Sequence, residues 1–209
     1  MKVPRVYLVT EGGPEMDLPA ALRAALAGLP PGAVAVQLRA RGVPGGSLLA
    51  LARAVGEVCR AASMPLLVND RLDVALAAGA DGAHLPAAGV PPAEARRLLG
   101  PGAILGVSCH SAAEVIRARD GGADFATFGP VHDTPSKRGY GPPVGLARLR
   151  EAAGLGLPLL ALGGVDAGNA REAVAAGAHG VAVIRAWLAA ADRASAVRAL
   201  LAAVGEGAP

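Results

Sequence analysis

The sequence predicts a (β/α)8 barrel, and three observations carry that prediction. Short β-branched or leucine-rich runs recur at Val6–Val9, Val34–Arg39, Pro65–Asn69, Gly82–Leu85, Ala103–Val107, Asp124–Phe128, Pro158–Leu162 and Gly180–Ile184. Alanine-rich stretches with helical spacing separate them: Leu18–Leu29, Ser47–Ala62, Leu72–Ala78, Pro92–Leu99, Ala112–Asp120, Leu146–Ala153, Asn169–Ala176 and Asp192–Val204. Strict alternation of this kind implies right-handed βαβ units and a parallel sheet. Third, a faint repeat precedes three of the strands: Ala78-Gly79-Ala80-Asp81-Gly82, Gly121-Gly122-Ala123-Asp124-Phe125 and Ala176-Gly177-Ala178-His179-Gly180. Each reads as a helix end closed by glycine and followed by a short αβ turn. Eight units in 209 residues, with no candidate linker, make one barrel domain over residues 1–209. A doubly wound open sheet is the competing architecture, but no G-x-G-x-x-G follows the first strand.

In a barrel, function sits at the C-terminal ends of the strands. Those ends read, in order, Thr10; Gln37, Arg39 and Arg41; Asn69 and Asp70; His84; Ser108 and His110; Thr134, Ser136 and Lys137; Gly163 and Gly164; Ile184 and Arg185. Strand two ends Gln37-Leu38-Arg39-Ala40-Arg41, and alternation turns Gln37 and Arg39 to one face, into the barrel. An inward arginine at the mouth is costly unless it meets an anion, either a ligand or an acidic side chain. Strand three ends Asn69-Asp70. Asp70 could hold Mg²⁺, though one carboxylate is a weak site and capping of the helix from Arg71 is the commoner use. Strand five ends Ser108-Cys109-His110-Ser111, where Ser111 and Glu114 form a capping-box pattern and leave His110 in the loop. An imidazole there, with an ordinary pKa of ~6.5, can carry a proton. His84, His132 and His179 are weaker candidates, the last lying at an αβ turn.

Strand six is apolar enough to be buried on both faces, and Gly129-Pro130 stops it. The loop beyond offers Thr134, Ser136 and Lys137, two hydroxyls and an ammonium that suit phosphate oxygens. After strand seven, Gly163-Gly164 lets backbone N–H groups approach an anion. After strand eight, Ile184-Arg185 opens the last helix, whose free N–H groups also favour phosphate.

Composition narrows the ligand. Hydrophobic content is 53% and charged content 18%, which argues against long disorder. Aromatics are only 2% and the net charge is +3, with no block of like charge, so a small anion fits better than nucleic acid. No apolar run reaches membrane-spanning length, and Val6–Val9 is too short for a signal-peptide core. Cys59 and Cys109 lack metal or redox spacing, which points to a reduced cytoplasm. Homo-oligomerisation stays open.

Along almost its whole length the chain resembles the thiamin phosphate synthase superfamily. The resemblance rests on Tyr7-Leu8-Val9-Thr10, Val36-Gln37-Leu38-Arg39, Leu67-Val68-Asn69-Asp70-Arg71, Gly79-Ala80-Asp81-Gly82-Ala83-His84-Leu85 and Gly106-Val107-Ser108-Cys109-His110-Ser111. It continues through Phe128-Gly129-Pro130-Val131, Thr134-Pro135-Ser136-Lys137, Leu162-Gly163-Gly164-Val165 and Gly177-Ala178-His179-Gly180-Val181-Ala182-Val183. The resemblance implies a (β/α)8 barrel and one of two activities. Synthases join hydroxymethylpyrimidine pyrophosphate to a thiazole phosphate with Mg²⁺. TenI-type tautomerases aromatise a thiazole phosphate carboxylate by moving a proton, without metal.

Synthases typically read His-Leu-Gly-Gln and then two acids after strand four, one of them a Mg²⁺ ligand. This chain reads His84-Leu85-Pro86-Ala87-Ala88-Gly89, and has Arg185 where a serine is usual. The missing acids favour the tautomerase, with no cofactor. His110 is then the proton carrier implied by the resemblance, Gln37 a second catalytic candidate, and a phosphorylated thiazole the substrate. Retained Asp70 and Lys137 keep the Mg²⁺-dependent synthase as the alternative. A non-catalytic phosphate-ligand regulator is the third.

Overall fold

The computed structural model describes residues 3–11, 16–134 and 142–205. Eight parallel strands close in sequence order: β1 Val6–Val9, β2 Val34–Leu38, β3 Leu66–Asn69, β4 Gly82–Leu85, β5 Ile104–Cys109, β6 Phe125–Phe128, β7 Leu159–Leu162 and β8 Gly180–Val183. Around them run α1 Leu18–Leu26, α2 Gly45–Ala61, α3 Leu72–Ala78, α4 Pro92–Leu99, α5 Ala112–Asp120, α6 Gly145–Ala153, α7 Ala170–Ala175, α8 Arg185–Leu188 and α9 Arg193–Val204. The predicted (β/α)8 barrel is therefore the fold. Of the described helices, none is long and apolar enough to cross a membrane.

Most strand bounds differ from the expected ones by a residue or two. The difference at β5 matters: it runs on to Cys109, which puts Ser108 inside the strand rather than at its exit. The end of the chain is also built differently. Arg185 opens a separate single-turn helix, α8, not the last helix, which begins at Arg193 behind an Asp192 cap. Four aligned peptides carry a smaller dipole than a long helix would.

The strands are buried on both faces because helices cover them outside and their own side chains fill them inside. The outer layer packs leucine, valine and alanine from both helices and strands. The inner cluster is Tyr7, Val9, Ala35, Leu67, Ile104, Phe125, Leu160 and Ala182. Registers such as Tyr7↔Ala182, Tyr7↔Ala35 and Gly106↔Phe125 set these inward positions side by side.

The repeated turns close the opposite end. Asp81 Oδ2 accepts from Leu66 N at 2.8 Å, and Asp124 Oδ2 accepts from Leu105 N at 2.7 Å. In the third copy the His179 ring turns to the segment before β1, with Nε2 2.8 Å from the Val3 carbonyl, while its own carbonyl accepts from Arg5 Nε at 3.0 Å. The repeat is thus a strand-docking device, far from the strands' C-terminal ends.

Candidate active site

The floor of the barrel mouth is a polar layer on the apolar inner cluster. Register pairs Asn69 with His84, His84 with Gly106, and Ser108 with Thr127, so inward side chains from β3 to β6 meet there. Gln37 joins them from β2; it is 3% exposed, and its Nε2 donates to the Tyr7 hydroxyl at 3.2 Å. Burial pushes the Tyr7 phenol well above its ordinary pKa, so it stays neutral.

His84 lies deeper than a strand-end reading suggests. It is 1% exposed, its ring centroid 5.6 Å from that of Tyr7 and 5.8 Å from that of Phe125. Burial holds its imidazole at about 3, so it is neutral at physiological pH. The sequence signal that could have found it was period-two alternation, which sets His84 in phase with inward Gly82.

Above this floor, β1 and β2 are fastened by Thr10, whose buried Oγ1 accepts from Arg39 N at 2.9 Å. The Arg39 guanidinium donates to Glu11 Oε1 at 2.8 Å. Such a half-exposed pair holds the arginine weakly, typically by ~0–1 kcal/mol, and leaves it available to an anion. Arg41 is exposed in the turn beyond.

Asn69 ends β3 half-buried, and Asp70 follows it exposed, with a left-handed φ of 66°. The expected capping role is not observed. The α3 N-cap position falls to Arg71, with no side-chain cap bond, because Asp70's backbone turns the other way. A non-glycine residue in this region costs of order 1–2 kcal/mol, which structures retain where the geometry serves a purpose. Asp70 is pinned there by its N–H, which donates to the His84 carbonyl at 2.9 Å.

His110 is exposed just past β5. Its Nδ1 lies 2.5 Å from the Gly129 carbonyl. A carbonyl can only accept, so Nδ1 carries a proton and donates it. Ser111 caps α5 as expected, but Glu114 reaches back to the N–H of His110 at 2.5 Å, one residue earlier than a reciprocal box requires.

Loops six and seven interlock. Val131 N donates to the Leu162 carbonyl at 2.8 Å and His132 N to the Gly163 carbonyl at 3.0 Å. Gly163 and Gly164 have φ of 96° and 65°, and a Cβ on Gly163 would fall 2.5 Å from Pro130. Asn169 Nδ2 holds the Gly164 carbonyl at 2.8 Å. Loop eight joins them through Arg185, whose Nη2 donates to the buried Thr134 hydroxyl at 3.0 Å. Ile184 is half-buried beside it. Ser136 and Lys137 lie outside the described residues. The structure thus brings together Gln37, Asn69 and Ser108 at the floor, and Thr134 with Arg185 at the rim; it leaves Arg41 exposed outside both groups.

Among the described residues no three His, Cys, Asp or Glu side chains cluster as a metal site. A cleft of about 560 Å³ between α1 and α2, lined by Arg23, Leu26, Glu57 and Ser63, opens at the opposite end of the barrel and contains none of these groups.

A family model described as thiamine monophosphate synthase matches residues 6–187, which span all eight strands. The chain belongs to this family. A thiamine-phosphate synthase of Methanoculleus marisnigri is 45% identical over 201 residues, covering 93% of this chain and 92% of that one. One of Moorella thermoacetica is 44% identical over 190 residues, covering 90% and 88%. A solved thiamine phosphate pyrophosphorylase from Pyrococcus furiosus superposes with a TM-score of 0.84 at 31% identity, covering 96% of this chain and 95% of that one.

These relatives overturn the tautomerase expectation. Proteins 41–48% identical over most of the chain carry the synthase name. The expectation gave the missing acids after His84 too much weight. It overlooked that Asp70 keeps its carboxylate free of capping, in a backbone conformation the fold sustains at a cost.

Proposed function

We propose that this chain is an enzyme of thiamine biosynthesis, a thiamine-phosphate synthase. It joins a hydroxymethylpyrimidine pyrophosphate to a thiazole phosphate and releases pyrophosphate. The observation that carries the reading is Asp70: an exposed carboxylate held in a left-handed turn at the barrel mouth, in a chain whose relatives bear that name.

In this reaction the thiazole nitrogen forms a bond to the pyrimidine methylene carbon, while the carbon–oxygen bond to pyrophosphate breaks and the leaving group keeps the electron pair. No proton moves between carbons, so His110 is assigned no shuttle role. Its Nδ1–H instead anchors the Gly129 end of loop six. Gln37, held by Tyr7, and Asn69 offer neutral hydrogen bonds on the floor of the mouth. Arg39 exchanges Glu11 for an anionic substrate oxygen. The thiazole phosphate is held at the rim, by backbone N–H groups of Gly164 and Arg185, with the Arg185–Thr134 contact beside it.

Mg²⁺ is commonly bound by one or two carboxylates together with substrate phosphates. Asp70 fits that pattern as one protein carboxylate that would hold the ion together with substrate diphosphate oxygens. When bound, the ion neutralises charge growing on the departing pyrophosphate. The deciding experiment incubates the purified protein with both substrates and measures thiamine phosphate and pyrophosphate, with Mg²⁺ and with EDTA. Equal amounts of the two products, lost with EDTA, are expected. No product at saturating substrates would refute the reading.

A further inference from the structure

We propose that His84 is a positioning residue that fixes the hydroxyl of Ser108 as an outward hydrogen-bond donor to an anionic oxygen of the substrate. The inference deepens the synthase reading and rests on it for the nature of that oxygen.

The argument begins with space. A Cβ at position 106 would fall 2.5 Å from His84 Nδ1 and 2.5 Å from Phe125 Cζ, so the barrel accommodates this imidazole only because Gly106 has no side chain. The ring's two nitrogens then meet different surroundings. Nδ1 is buried and has no hydrogen-bond partner among the described residues. Nε2 lies 3.0 Å from Ser108 Oγ and 3.5 Å from Thr127 Oγ1.

A neutral imidazole carries one proton, on one nitrogen. If Nδ1 carried it, a buried N–H would be orphaned, the rarer kind of defect in folded proteins. If Nε2 carries it, the donor meets Ser108 Oγ, with Thr127 Oγ1 close behind, and only a lone pair is left facing apolar atoms. The Nε2–H tautomer is therefore the one the packing selects. Ser108 Oγ then accepts from His84, and its own O–H must donate elsewhere. Ser108 is half-buried at the floor of the mouth, so that donor points to the substrate space. With the opposite tautomer Ser108 would spend its proton on His84 and present only lone pairs, which repel an anion.

The first test needs no variant. The ¹⁵N shifts of the His84 ring in the whole protein report which nitrogen is protonated. A protonated Nε2 and bare Nδ1 are expected; the reverse pattern overturns the proposal, whether or not the protein proves to be a synthase. The second test uses turnover. His84→Met and Ser108→Ala should each lower kcat/KM by about tenfold to a hundredfold, the range for one hydrogen bond to a charged group. The double variant should fall no further than Ser108→Ala alone, and His84→Gln, which keeps an N–H near the same reach, should recover most of the loss. Additive losses, or a His84→Met enzyme with unchanged kcat/KM, would show that His84 does not act through Ser108.

Discussion

Replacing Gly164 by alanine tests the link between the glycine pair after β7 and the phosphate rim. The new Cβ would occupy a backbone with φ of 65° and stand 2.6 Å from the Asp133 carbonyl oxygen and 2.8 Å from His132 Cβ. The left-handed conformation alone costs about 1–2 kcal/mol. Because the first obstacle is backbone, loop six has to move, and overpacking of this kind adds about 1–3 kcal/mol. Together that is about 2–5 kcal/mol, or a fall in Tm of roughly 5–15 °C for a chain of this size. The displaced N–H of residue 164 should raise KM for the thiazole phosphate about tenfold or more, with less change in kcat. Gly156→Ala provides the control: its φ is 81°, but its nearest neighbour is Arg119 Cδ at 3.9 Å, at the other end of the barrel. It should cost only the conformational part, about 1–2 kcal/mol, and leave KM alone. Thermal melts and steady-state kinetics on both variants decide the matter. If Gly164→Ala behaves like Gly156→Ala, the close approach of loops six and seven does not shape the phosphate site.

Asp70→Gly should leave stability within about 1 kcal/mol, because relief of the left-handed strain offsets the added chain entropy, yet lower kcat/KM by about 10² or more; a near-normal enzyme would remove Asp70 from metal binding. His110→Ala should change kcat by less than about tenfold, and a loss of about 10²–10⁴ would require a proton-transfer step that the synthase reaction lacks. Tyr7→Phe leaves the Gln37 amide without its acceptor and should cost about 1–3 kcal/mol in urea unfolding, an unchanged midpoint being the contrary result. His84 also sets a pH dependence. Its folded pKa of about 3 lies below the ordinary 6.5, so between those values the unfolded chain binds the extra proton. Stability is then full above about pH 6.5 and falls as pH drops towards 3, by up to ~1.4 kcal/mol per unit. In acid titrations His84→Met should show a correspondingly flatter profile.

The sequence by itself determined the barrel, because a strand buried on both faces and an amphipathic helix have local periods that survive without any tertiary information. It also determined which polar loops share one end of the barrel, since closing eight βα units gathers the strands' C-termini there. Gln37 could be read as inward from alternation, and Ser111 as a cap from its spacing to Glu114. What the tertiary structure decided depends on groups distant in sequence. Arg185 meets Thr134 across 51 residues, and the unpartnered nitrogen of His84 exists only because Gly106 and Phe125 close around it. The left-handed turn at Asp70 is equally invisible to propensity, which favours an aspartate as a cap; the tie from its N–H to the neighbouring strand overrides that preference. The local pattern therefore placed the polar residues at the mouth, while register and close packing decided which hydrogen each one presents.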